Sequence, residues 1–182
     1  MSEVIASSEE KTGLDRRRVV KGVAWSVPII VTAIAAPAAA ASIIPASVVL
    51  GPVGAASATG TSGTLTVQAP TTFDVQTGSA FTGSSVSYTI TIDSVNANQR
   101  AFVEITSASP GTGSSSIGKK LTTFTGSLPT TAGNQAIHVA LAGFKYSGTI
   151  TKGTFQYTVT LTVTVPGSPA IVKTSTLTIT YP

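Results

Sequence analysis

Residues Thr154–Val165 alternate without a fault. Phe155, Tyr157, Val159, Leu161, Val163 and Val165 fall on one parity; Thr154, Gln156, Thr158, Thr160, Thr162 and Thr164 fall on the other. A strand sends successive side chains to opposite faces, whereas a helix would scatter this pattern around its circumference. The segment is therefore a strand with one buried and one wet face. Ser85–Asp93 repeats the pattern with Val86, Tyr88, Ile90 and Ile92. Ser168–Tyr181 does so with Ile171, Leu177, Ile179 and Tyr181. Weaker runs lie at Thr64–Ala69, Arg100–Thr106, Lys120–Ser127, Gln135–Ala142 and Tyr146–Thr151.

Turn-forming pairs separate these runs: Thr77-Gly78, Pro110-Gly111, Gly133-Asn134, Lys152-Gly153 and Pro166-Gly167. No helical period follows residue 41. Half-polar strands must hide their apolar faces against one another, so two antiparallel sheets packed face to face are expected. About seven to nine short strands suit an Ig-like β-sandwich at the level of shape, although the Cys–Trp–Cys hallmark is absent. A small β-barrel is the alternative.

Charge is thin and uneven. Charged residues make up 10% of the 182, against 42% hydrophobic. No charged residue lies between Gly22 and Phe73. Beyond residue 21, six cations (Arg100, Lys119, Lys120, Lys145, Lys152 and Lys173) meet three acids (Asp74, Asp93 and Glu104). An excess of three on separate segments is a poor footprint for nucleic acid, which is not an expected partner. The chain has no Cys and one His, His138. Disulfide scaffolds, thiolate metal sites and Cys nucleophiles are thereby excluded, and no cofactor or metal is expected.

The first forty residues read as an address. A polar segment, Met1–Asp15, leads to Arg16-Arg17-Arg18-Val19-Val20-Lys21, then to the uncharged apolar stretch Gly22–Ala36 and the small-residue tract Pro37-Ala38-Ala39-Ala40-Ala41-Ser42. That order is the one an export signal requires. Cations stay inside, the apolar stretch enters the bilayer, and small side chains fit the peptidase pocket. Arg16, Arg17, Val19, Val20 and Lys21 resemble the twin-arginine (Tat) signal, with Asp15 where Ser or Thr is usual. Lys21-Gly22-Val23-Ala24-Trp25-Ser26-Val27-Pro28 and the alanine-rich end look like leaders of small secreted actinobacterial proteins. The resemblance implies the Tat translocase and a signal peptidase as transient partners, and cleavage at Ala39-x-Ala41 before Ser42 or one residue earlier. The stretch Gly22–Ala41 is also long enough to span a bilayer if left uncut. The expected organisation is a helical signal peptide over 1–41, a low-charge linker over 42–63 with an edge strand at 47–50, and the sandwich over 64–182. The product would be secreted or held at the cell surface, meeting the membrane only through the signal segment.

No constellation for catalysis stands out, and no catalytic residue is assigned. His138 could serve a small hydrolase only beside an orienting acid and a nucleophile; an ordinary surface His explains it as well. Asp74, Asp93 and Glu104, on separate segments, could supply the two carboxylates of a glycosidase cleft, but charged solvent-facing positions explain them better, and a calcium site is similarly short of ligands. Lys173 shares the parity of Ile171 and Leu177. It resembles the buried Lys of isopeptide-forming surface domains, but Asn96, Asn98 and Asn134 lie in no core strand, so a bulge or a snorkelling side chain is expected. Leu128-Pro129-Thr130-Thr131-Ala132 resembles a sortase motif but lacks the apolar segment and basic tail. Threonine rows on the last two long strands are what polar strand faces ordinarily carry, and ice- and glycan-binding surfaces use such faces too. Phe124, Phe144 and Tyr146 are the aromatics expected nearest loops, where a sugar would stack. The readings are therefore a non-catalytic extracellular interaction module for a cell-wall, glycan or protein ligand, a self-associating structural subunit with Ile43–Leu50 as a donated strand, or a small secreted hydrolase.

Overall fold

The computed structural model describes residues 43–96, 101–118, 121–130, 132–149 and 151–182. All of them belong to the unit Ile43–Pro182. The expected signal helix and its cleavage region lie outside the described residues.

The described residues form strands and no helix. In chain order these are β1 (Ser47–Leu50), β2 (Val53–Gly60), β3 (Gly63–Pro70), β4 (Thr72–Gln76), β5 (Ser85–Ser94), β6 (Ala101–Glu104) and β7 (Ser107–Ser109). They are followed by β8 (Thr112–Ile117), β9 (Leu121–Pro129), β10 (Ala136–Ala142), β11 (Phe144–Gly148), β12 (Gly153–Thr164) and β13 (Ile171–Tyr181). Two sheets result, ordered β1-β4-β10-β7 and β6-β11-β2-β3-β13-β12-β5-β9-β8.

Thirteen strands exceed the seven to nine expected, and the registers give the reason. Ser47–Leu50 opposes Gln76–Phe73, and Val53–Gly60 opposes Pro70–Gly63. Between them Gly51 N–H donates to Thr72 O at 2.8 Å. The register is unbroken, so β1–β2 and β3–β4 are one long hairpin that leaves the smaller sheet and enters the larger. A second ribbon does the same. Ala140–Ala142 opposes Ser109–Ser107, Lys145–Gly148 opposes Glu104–Ala101, and Thr106 Oγ1 donates to Gly143 O at 2.8 Å between them. Four of the thirteen strands thus continue another across a corner, which leaves nine extended runs.

Each corner rests on a glycine. A Cβ at Gly51 would sit inside Thr72, 2.8 Å from its backbone oxygen. Gly143 has φ +66°, and a Cβ there would strike Thr106 Oγ1. The first ribbon also turns over as it crosses. Its β4 strand faces β10 antiparallel in the smaller sheet, while its β2 strand faces β11 parallel in the larger one.

Long strands β5, β12 and β13 therefore bury one face against two partners. Toward the start of β12, Tyr157, Tyr181, Tyr146 and Phe155 pack together, with Tyr146–Tyr181 ring centroids 5.5 Å apart and Phe155–Tyr181 5.4 Å. Toward its end, Phe73 of the smaller sheet meets Tyr88 at 5.2 Å, and Tyr88 meets Phe124 at 6.1 Å. The larger sheet curls until its edge strands approach: Ser115 Oγ on β8 donates to Glu104 Oε2 on β6 at 2.9 Å. The body thus combines features of the expected sandwich and of its barrel alternative: two sheets are present, and one of them is nearly barrel-shaped.

The linker reading of 42–63 holds only in part. Ser47–Leu50 is an edge strand, as expected. Val53–Gly60, read as linker, is β2, paired along its whole length with β3. Its Gly-Ala-Ala-Ser-Ala-Thr sequence lacks the apolar–polar contrast that reveals a strand. The compact body accordingly begins at 43 rather than at 64.

Candidate functional site

Register brings His138 to Asp74. The two residues are 64 apart in sequence but directly opposed on β10 and β4. His138 Nδ1 lies 2.6 Å from Asp74 Oδ1, with 66% and 54% of the side chains exposed. A carboxylate on Nδ1 sets the tautomer and leaves Nε2 as the reactive nitrogen, which is the base-and-orienter half of a triad. Among the described residues His138 is hydrogen-bonded to Asp74 and to no hydroxyl. On the outer face His138 is flanked along its strand by Ala136 and Ala140, and Asp74 is followed across β1 by Val49. Catalytic electrostatics need a walled, dry site; this pair sits on an open sheet.

The remaining acids are separate. Glu104 accepts from Ser115 and stands directly opposite Lys145, while Asp93 stands opposite Thr158 and Leu121. Among the described residues no group of three His, Asp or Glu is placed to hold a metal ion.

Lys173 is exposed although its parity matches Leu177 and Ile179. The expected bulge is absent, because β13 stays in register with β12 from Tyr181 to Ile171. Only Thr178 and Ile179 of β13 pair with β3. The first half of the strand therefore runs on with an open side, where a lysine reaches water. Asn96 and Asn134 are exposed, and Asn98 lies outside the described residues. The sortase-like segment is part of the body: Leu128, near the end of β9, is fully buried, and Thr130 is 2% exposed and bonded to Gln135 Oε1.

The aromatic expectation is corrected. Phe124, Phe144 and Tyr146 are only 2–3% exposed, because each lies on the inner parity of its strand. They cannot stack on a sugar. Three aromatics instead cover glycines. Tyr88 lies over Gly126, Phe124 over Gly113 and Tyr146 over Gly60, each ring occupying the place of the missing Cβ. Ring-on-glycine packing lets a small residue sit in a strand without leaving a void. A shallow hollow of about 300 Å³ is lined by Val95, Asn96, Thr154, Phe155 and Gln156. Nothing in the sequence marks it, since its residues come from the start of β12 and the turn after β5.

The threonine rows extend further than two strands. Thr174, Thr160, Thr91, Thr123 and Ser116 stand in one cross-strand line over β13, β12, β5, β9 and β8. Thr162, Thr89, Thr125 and Ser114 form the next line, and Thr164, Ser87, Ser127 and Thr112 another. The wet face of the larger sheet is thus a hydroxyl-rich surface, interrupted by the exposed Val172 opposite Thr162 and Leu121 opposite Asp93, with Asp93 as its one acid among these strands. Exposed strands favour β-branched residues; the unbroken register across five strands needs the tertiary structure to be seen.

The residues of the expected export signal, Arg16, Arg17, Val19, Val20 and Lys21, and those of the peptidase region, Ala39, Ala41 and Ser42, lie outside the described residues. No family model, curated protein or solved structure matches this chain.

Proposed function

We propose that this is an exported protein whose body, residues 43–182, works outside the cytoplasmic membrane as a non-catalytic interaction module, secreted or held at the cell surface. The observation that carries the reading is the order Arg16-Arg17-x-Val19-Val20-Lys21, apolar stretch, and alanine tract ending at Ala41. The compact unit takes up at Ile43, beside the expected cut before Ser42. Every strand of the described residues lies beyond that cut, the first beginning at Ser47. A Tat route suits a chain that needs no oxidative step, since it has no Cys. On this reading the fold is an elaborated Ig-like sandwich, held by its two corner-crossing ribbons instead of a disulfide. The hydroxyl-lined face of β13, β12, β5, β9 and β8 is the broadest surface for a wall polymer, glycan or protein. No cofactor, metal or nucleic acid enters the scheme.

The test is production of the full chain in an actinobacterial host, with mass spectrometry of medium, membrane and cytoplasm. A mature N-terminus at Ser42 or within two residues of it in the medium is expected, together with loss of export when Arg16 and Arg17 are both changed to Lys. An intact chain retained in the cytoplasm would overturn the reading. Pull-down of the exported body against purified wall polymer and against surface proteins then identifies the ligand class.

A further inference from the structure

The two sheets present their free edges very differently. Edges β6 and β8 of the larger sheet approach one another through the Ser115–Glu104 bond. Edge β7 of the smaller sheet is Ser107–Ser109, which leads at once through Pro110-Gly111 into β8. Among the described residues edge β1 pairs with β4 alone.

Hydrogen-bond parity shows which groups β1 leaves open. Thr77 N–H donates to Gln135 O at 3.0 Å, and Leu141 N–H donates to Thr71 O at 2.8 Å. Odd-numbered β4 residues therefore bond β10, and even-numbered ones bond β1, as the bond between Gly51 and Thr72 confirms. Paired and unpaired positions alternate along an antiparallel ladder. Ser47, Val49 and Gly51 thus turn their backbone groups toward β4, whereas Val48 and Leu50 turn theirs outward. A row of free N–H and C=O groups takes another strand.

The side chains along this edge narrow the choice of strand. Of the eight large apolar residues exposed on the described surface, four lie between 43 and 53: Ile43 at 74%, Ile44 at 47%, Val49 at 59% and Val53 at 45%. No charge occurs between Gly22 and Phe73, so nothing on the segment selects a charged partner strand. Asp74, next in the row beyond Val49, is already engaged by His138.

We infer that β1 pairs antiparallel with β1 of a second copy of this chain across a two-fold axis. The proposal is independent of the export reading. Within Ser47–Leu50 one register pairs all the outward residues with one another: Val48 opposite Leu50 of the copy, Leu50 opposite its Val48, and Val49 on the axis facing its own counterpart. Each bonded pair exchanges two hydrogen bonds, and the central valines meet as the close, non-bonded pair. Their exposed side chains then cover each other on the outer face. Extension stops at once, because the next pair would set Ala46 against Pro52, which has no N–H to give. The two-fold axis repeats this limit at the other end, where Pro52 meets Ala46 of the copy. The smaller sheet would become an eight-stranded sheet with a short seam, and the association would be weak and concentration-dependent.

The chain's lack of Cys provides a direct test. Val49→Cys places one thiol on the axis, where opposed Cα atoms about 4.5 Å apart permit a disulfide. Ser47→Cys is also exposed and on the same face, but its copies would stand about 14 Å apart along the strands. The protein is purified from cells making the full chain, and each variant is oxidised mildly over a wide dilution series. Rapid covalent dimer from V49C and little from S47C is expected. Light scattering of the natural chain should show a monomer–dimer equilibrium that V49K shifts to monomer. Equal crosslinking of V49C and S47C, a strict monomer at high concentration, or a dimer unaffected by V49K would overturn the proposal. The last result would point instead to association through the apolar stretch before residue 42, which V49K leaves intact.

Discussion

Gly126 offers a sharp test of the core, because two rules predict opposite signs for its replacement by Ala. Strand propensity and the entropy of the unfolded chain favour Ala over Gly by about 0.4–1 kcal/mol where φ is compatible. Gly126 is not among the glycines with positive φ, so that gain is open to it. Packing opposes it. The new Cβ would fall onto the Oη and Cζ of Tyr88 and lie 2.5 Å from Thr112 O. The last of these is backbone of the neighbouring strand and cannot swing away. Overpacking a tight core costs about 1–3 kcal/mol. Set against the propensity gain, the net loss should be about 1–2 kcal/mol, or roughly 3–8 °C in Tm for a body of this size. Tyr88 adds a second arm. Its hydroxyl is buried without a hydrogen-bond partner among the described residues. Tyr88→Phe should therefore stabilise, by about 1 kcal/mol, since an orphaned hydroxyl is expensive to bury. In the double variant the clash with Oη is gone, while those with Cζ and Thr112 O remain. Its loss should be smaller than the sum of the singles, with a coupling of about 0.5–1 kcal/mol. Denaturant unfolding of the four proteins, followed by circular dichroism, measures the cycle. If Gly126→Ala unfolds at the same or higher denaturant than the parent, the ring-on-glycine account of this core is wrong.

Two further outcomes follow from the same geometry. Burial pushes up the pKa of the Tyr88 phenol. It pushes that of Tyr181 up further, aided by the Tyr157 hydroxyl and the neighbouring Tyr157 and Tyr146 charges. The folded state keeps protons that the unfolded chain releases above about pH 10. Stability is then full below that pH and falls as pH rises through the folded values; the tyrosinate absorbance of Tyr88 and Tyr181 should accordingly rise together with loss of the β-sheet signal, and their early titration in a folded protein would contradict it. At the second corner, Gly143→Ala meets both a left-handed φ of +66° and Thr106 Oγ1. It should cost about 1–3 kcal/mol by thermal melting, and Thr106→Ala should recover only the steric part.

Much of this body can be seen in the chain because alternation is a local signal. Phe155, Tyr157, Val159, Leu161 and Val163 announce a two-faced strand without reference to any partner. The same logic fails for β2 and for β8, Thr112–Ile117, whose residues are nearly all small. With no contrast between faces there is no period to read. The corners at Gly51 and Gly143 are equally silent, since a glycine within a run signals a turn as readily as a strand that changes sheets. Lys173 shows the converse: its parity is correct and its exposure is decided by where β3 stops pairing.

The candidate site divides along the same line. Sequence alone settles which chemistries lack their atoms, because a chain without Cys and with a single His cannot build thiolate or poly-His sites in any fold. It also determines the charge-free run from Gly22 to Phe73 and the hydroxyl face of the long strands, because both are properties of composition and parity. Tertiary structure alone decides that Asp74 faces His138, that Phe124, Phe144 and Tyr146 are covered, and that Val48 and Leu50 keep open backbone groups. Each of those depends on pairing between residues far apart in the chain. Register is set by the sum of many contacts across two sheets, and no local stretch of residues contains it.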